Sequence, residues 1–311
     1  MLAPMTRKPA NSVLPAILQV VAGVLLFSCS DTMSKYLRNT LPAVEIAWLR
    51  YVVFVLFGLY VAGRRRFIGL RPKQASLQVL RAVTLLGSAV LFISGLSYLP
   101  MADASALSFV SPAFITAASV LFLREQVGVH RWAATLVGLI GVVIVIRPGT
   151  GALQVAALYP LSSAACWAVA MIATRLIGAQ DRSETTLLWS AAVGLVLLTL
   201  FLPFGFVPPS WAEIGLGLIL GVTASTGQYL LILAYRRATA SVLAPFSYIQ
   251  LLFSATLGYL VFGSVPDSMA FLGAAIIIAS GLYIVHRERI RARDALKTAA
   301  SEARAAAVAE S

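Results

Sequence analysis

The sequence is short of charge. Only 12% of its 311 residues are Asp, Glu, Lys or Arg, about half of the roughly 25% found in a soluble domain. Twelve acidic and 24 basic side chains cannot cover a globule of this size, which excludes a cytosolic enzyme and most secreted folds. Cysteine and histidine are also scarce, at two each. Cys29 and Cys166 lie inside apolar runs, so there is no disulfide framework and no metal-ligand spacing, and both read as buried thiols. His130 and His286 are far in sequence from any acid or nucleophile that would make them catalytic. No glycine-rich loop precedes a Lys-Ser or Lys-Thr pair, so nothing points to ATP as the energy source. The sequence calls for no cofactor and no metal.

What the chain has in quantity is apolar length: 59% of it is hydrophobic and its mean hydropathy is +0.88. The apolar runs are continuous over about 20 residues, which excludes an outer-membrane barrel, whose strands alternate over about 10. Ten spans can be drawn, at 14–36, 43–62, 76–97, 101–123, 132–147, 153–175, 186–205, 212–235, 240–262 and 268–286. The fifth is only just long enough to cross. Connectors are short and contain breakers such as Leu99-Pro100, Arg147-Pro148-Gly149 and Val207-Pro208-Pro209-Ser210, so no soluble domain fits between spans. Arg7-Lys8 before an apolar stretch, with Leu26-Phe27-Ser28-Cys29 inside it, has the outline of a cleaved leader. Phe27 is too bulky for the cleavage box and the run is too long for a leader's apolar core, so span one is read as retained. Residues 287–311 form an Ala- and Arg-rich cytoplasmic tail with no core of its own.

A net charge of +12 in a soluble chain would suggest nucleic acid, but here the basic residues sit between the spans. One side collects Arg7, Lys8, Arg64, Arg65, Arg66, Arg71, Lys73, Arg124, Arg131, Arg175, Arg182, Arg236, Arg237 and the tail, while the other receives Lys35, Arg38 and Arg147. The positive-inside rule then places both termini in the cytoplasm of a cell with the chain in its inner membrane, and it demands an even span count. The partners implied are a lipid bilayer and a small molecule, with no nucleic acid. Gly217-x-x-x-Gly221 reads as packing within the chain, which is compatible with a monomer and leaves the oligomeric state open.

Shifting the sequence along itself by roughly 136 to 140 residues brings matches into register. Phe27, Ser34 and Lys35 meet Trp167, Thr174 and Arg175, and Glu45 and Leu49 meet Glu184 and Leu188. Ala104-Ser105-Ala106-Leu107 meets Ala240-Ser241-Val242-Leu243, with Pro112 and Pro245 following. A repeat of five spans is odd-numbered, so its second copy enters the membrane inverted. That arrangement suits secondary transporters, which bind substrate near the midplane between halves. The expected fold is all-α and polytopic, with repeats at 14–147 and 153–286.

The run Tyr98-Leu99-Pro100-Met101-Ala102-Asp103-Ala104-Ser105-Ala106-Leu107 through Pro112, then Leu123-Arg124-Glu125 and Gly138-Leu139-Ile140-Gly141, resembles the drug/metabolite transporter superfamily in its ten-helix branch with two EamA domains. The second half echoes it in Tyr235-Arg236-Arg237-Ala238-Thr239-Ala240-Ser241-Val242-Leu243 and Gly281. Phe262-Gly263-Ser264 stands where the first half has Arg124-Glu125. The resemblance implies a carrier and, as substrate, small neutral or aromatic amino acids leaving the cell.

Charges within spans are the exceptions that carry information, since each costs at least about 2.5 to 3.5 kcal/mol at the bilayer centre. Asp31 in span one and Arg50 in span two reach matching depths on consecutive helices, which predicts an ion pair. It reads either as a structural clamp or as a gate or site for a zwitterion. Arg81, near the start of span three, reads as snorkelling to the cytoplasmic face. Helical spacing puts Ser163, Trp167, Ala170 and Thr174 on one face, and Gly23, Phe27, Ser30 and Ser34 on its repeat partner. The substrate site is expected among Phe27, Ser108, Trp167, Gln228 and Tyr248, with Pro112 and Pro245 kinking spans four and nine. Another amphiphilic metabolite or drug, moved in or out, is the alternative cargo. An intramembrane enzyme would need a base and nucleophile at one depth, and the sequence shows none; a channel would pass its cargo without saturation.

Overall fold

The computed structural model describes residues 13–64, 71–123, 129–146, 153–177, 181–237, 243, 246–284, 286–287 and 290. The helices are α1 (Val13–Leu37), α2 (Ala43–Gly63), α3 (Ala75–Gly95), α4 (Met101–Ser108), α5 (Ser111–Leu123), α6 (Val129–Ile146), α7 (Leu153–Ile177), α8 (Ser183–Phe201), α9 (Trp211–Arg237), α10 (Ile249–Phe262) and α11 (Ser268–Ile284). No strand occurs among the described residues. Seven helical segments of 21 to 24 residues are long and apolar enough to cross a bilayer, and three shorter apolar helices accompany them. An apolar chain in lipid must satisfy every backbone group within itself, and helices do so.

The ends follow local chemistry. Pro42 and Pro100, without an N–H to satisfy, stand at the N-termini of α2 and α4. Ser210 and Glu213 form a reciprocal capping box at α9: the Ser210 N–H donates to Glu213 Oε2 at 2.7 Å, and the Glu213 N–H donates to Ser210 Oγ at 3.3 Å. Gly263, at φ +66°, ends α10 in the left-handed region. Pro112 does more than kink span four. It cannot donate to the Ser108 carbonyl, and the span separates into α4 and α5 through Phe109 and Val110. Pro245 lies outside the described residues.

The two halves are interleaved. The most extensive packing joins α1 to α9 and α3 to α7, and the five-span shift converts one of these pairs into the other. Likewise α2 on α9 corresponds to α8 on α3, while α2 on α8 and α4 on α10 are each their own counterpart. Missing side chains let the helices approach. A Cβ on Gly141 would stand 2.8 Å from the Gly273 carbonyl oxygen, and one on Gly227 2.9 Å from the Gly23 carbonyl oxygen. Gly217 and Gly221 admit Leu49 and Val53 of α2 at 2.5 and 2.6 Å from their Cβ positions, so this pair of glycines serves packing within the chain.

Candidate functional site

Between the halves lies a cavity of about 680 Å³. Helix α1 presents Val24, Phe27 and Asp31 to it, residues three and four apart on one face. From α9 come Ala224, Ser225 and Gln228, and from α7 Ser163, Trp167, Met171 and Thr174. Four residues expected in the substrate site, Phe27, Ser108, Trp167 and Gln228, line this one cavity, as does Tyr248 just before α10. Pro112 lines it too. The Tyr248 phenol reaches across to α11 and fills the place where a Cβ on Gly281 would stand. Its ring packs on Phe109 at 5.0 Å between centroids. Ser108 Oγ donates to the Ala104 carbonyl at 2.9 Å. The rest of the expected α1 and α7 faces divides: Ser30 donates to the Leu220 carbonyl at 3.4 Å, in the α1–α9 seam, and Ala170 is fully buried.

Asp31 and Arg50 both line the cavity, but the direct ion pair expected from their consecutive helices is not what the structure shows. Among the described residues no N···O contact within 4.0 Å joins them, although the Arg50 charge is near enough to act on the Asp31 carboxylate. The physical reason is the interleaving. Helices α1 and α2 both pack on α9 and hardly on each other, so a helix of the second half stands between two neighbours in sequence. Arg81 is likewise turned inward. It is 8% exposed, donates from Nε to Thr174 Oγ1 at 2.8 Å and from Nη1 to Ser190 Oγ, and so ties α3 to α7 and α8.

Four wall residues carried no signal in the sequence: Tyr51, Phe54, Phe92 and Phe109. They are aromatic residues within apolar runs, and only the positions of neighbouring helices separate them from lipid-facing ones. Phe109 had one usable cue, its place at the break ahead of Pro112. Among the described residues no group of three His, Cys, Asp or Glu side chains could hold a metal.

The lining residues extend along the helices from Asp31 on α1 to Arg175 on α7. Past Asp31, the far end of α1 is latched to the α3–α4 connector. Lys35 Nζ donates to the Leu99 carbonyl at 2.6 Å and Arg38 Nε to Ser97 Oγ at 2.7 Å. Leu37, Leu41, Leu96, Leu99 and Met101 are buried there. In the other direction the lining runs to Thr174 and Arg175, in the last turn of α7. Arg175 is exposed, on the side of the molecule that carries the basic connectors.

The sequence model of the EamA-like transporter family matches residues 14–147 and again 154–286. The chain belongs to this family. It is a multi-pass membrane transporter of the drug/metabolite transporter superfamily with two EamA repeats. Among its EamA relatives, a riboflavin transporter of Rhizobium johnstonii is 33% identical over 92% of this chain and 95% of its own. An S-adenosylmethionine uptake transporter of Rickettsia bellii is 30% identical over 84% and 90%, and a pseudopaline exporter of Pseudomonas aeruginosa 29% identical over 85% and 93%. A crystal structure of a protein with 20% identity shares the fold, at a TM-score of 0.61 over 86% of this chain and 95% of that one.

Proposed function

We propose that this EamA protein is a secondary-active carrier, working by alternating access, for an amphiphilic, ring-bearing metabolite. The observation that carries the reading is the cavity between inverted halves, with Phe27, Phe92, Phe109, Trp167 and Tyr248 in its walls beside the amide of Gln228. Its volume falls in the range of about 300 to 1,000 Å³ that buries drug-sized ligands. The relatives named for riboflavin, S-adenosylmethionine and pseudopaline support cargo of that kind. Export of small neutral or aromatic amino acids, the narrower expectation from the sequence, is the small-cargo case of the same reading. With the basic connectors cytoplasmic and the chain in an inner membrane, the Arg175 end of the lining lies toward the cytoplasm. Halves 14–147 and 153–286 rock about the cavity to expose it to each side in turn.

Counterflow in proteoliposomes tests this, with labelled riboflavin, S-adenosylmethionine and tryptophan as probes. Saturable exchange of at least one is expected. Trp167→Ala and Gln228→Ala should each raise its half-saturation concentration by roughly tenfold, the equivalent of one lost contact. Flux that rises linearly with concentration, as through a channel, would falsify the reading.

A further inference from the structure

The cavity wall holds two charges that no direct contact joins. Asp31 is 6% exposed, lines the cavity, and has no hydrogen-bond or ion-pair partner among the described residues. A carboxylate buried this deeply is costly unless something pairs with it. Arg50 lines the same cavity from α2, also without a direct partner among the described residues. Helix α9 packs beside Arg50, where Gly221 approaches Val53 and the Arg50 carbonyl. That helix turns a third group inward: Ser225 Oγ is buried, lines the cavity, and has no hydrogen bond. Nearby, Ser105 donates its proton to Ser254 Oγ at 3.0 Å, which leaves the Ser105 oxygen able to accept.

Resting on the carrier reading, we infer that Asp31 and Arg50 form a divided subsite for the zwitterionic head group of an α-amino acid or its derivative. The ammonium sits on Asp31, the carboxylate on Arg50, and the ring-bearing tail points toward Trp167 and Tyr248. Charge-assisted hydrogen bonds of about 2.8 Å at each end let one head group bridge a gap that the two side chains do not close. The buried Asp31 carboxylate and the part-exposed Arg50 guanidinium are each neutralised by the group they lack. The aromatic residues Phe109, Trp167 and Tyr248 line the same cavity and receive the tail. Ligands without the head group reach only the aromatic part of the site.

Equilibrium binding to the purified full-length chain in detergent decides this, with ligands that remove one charge at a time. Tryptophan carries both charges, tryptamine only the ammonium and indole-3-propionate only the carboxylate; S-adenosylmethionine and 5′-methylthioadenosine repeat the comparison on a larger tail, and riboflavin carries no such head. The wild type should bind at least one zwitterion about tenfold or more tightly than its truncated forms. Asp31→Asn should lose that preference and gain affinity for indole-3-propionate, because the repelling carboxylate is gone. Arg50→Gln should gain affinity for tryptamine. Gains of binding cannot arise from misfolding. Equal loss for every ligand in both variants, or equal wild-type affinity for whole and truncated ligands, overturns the subsite. Riboflavin bound alone overturns it while leaving the carrier reading standing, and binding of none of the six overturns both.

Discussion

Tyr248 owes its position to a side chain that is absent. Its phenol occupies the space of a Cβ at Gly281, so Gly281→Ala should swing the ring out of the wall and away from Phe109. The expected outcome is a half-saturation concentration raised by roughly tenfold, about 1.4 kcal/mol, read in counterflow. Gly205→Ala is the control: nothing lies within 4 Å of its Cβ position, and an exposed change of that sort stays within about 0.5 kcal/mol. Cys166→Ser should also leave transport unchanged. Single residues show where sequence reading reaches its limit. Trp167 and Gln228 stood out because large or amide-bearing side chains are rare at mid-depth. Phe92 and Phe109 did not, because a phenylalanine facing a cavity and one facing lipid are written alike. Arg81 was misread because depth along a helix says nothing about which way the side chain turns.

Helix pairs here are built on close approach, and that makes them sensitive to volume. At Gly227 a Cβ would stand 2.9 Å from the Gly23 carbonyl oxygen, with the Leu26 and Phe27 side chains beyond it. Gly227→Val should therefore force α1 off α9 at a cost of about 1 to 3 kcal/mol, in the range for overpacking a dense interface. A fall in the melting temperature of the detergent-purified protein is the measure. The latch between the end of α1 and the α3–α4 connector predicts a different symptom. Lys35→Gln cannot hold the Leu99 carbonyl as an ammonium does, so this junction should loosen while the helices stay intact. A cysteine placed at Met101, fully buried in the wild type, should then react with a membrane-impermeant maleimide several times faster. In both cases the helices themselves were legible as apolar runs, with α2 found at Ala43–Gly63 for an expected 43–62. Their partners were not, since lipid and protein select the same apolar surface. Asp31 and Arg50 illustrate it: their helices both pack on α9 and hardly on each other, which their adjacency in sequence does not disclose.

At the scale of the whole molecule, the distribution of basic residues predicts that the Arg64 to Lys73 connector and both ends of the chain face the cytoplasm and that Pro208-Pro209 faces out. Reporter fusions check it: an alkaline phosphatase joined after Ser311 should be inactive, and one inserted at Pro209 active. The inverted repeat was readable because its offset is nearly constant from span to span, whereas the exchange of partners between halves was not, since nothing in a single strand of text records which copy a helix will touch. That exchange bears on how the protein is made. Each half lacks most of its own interior: α1 finds its main surface on α9, and α3 on α7, while contacts within the first five spans are sparse. The early helices therefore leave the ribosome before the surfaces they fit have been synthesised, and they must wait in the bilayer as separate rods, with Asp31 and Arg81 still uncovered. Assembly is a late event governed by the last-made helices, and a nascent chain stalled before α9 would be a substrate for quality control, not half of a transporter.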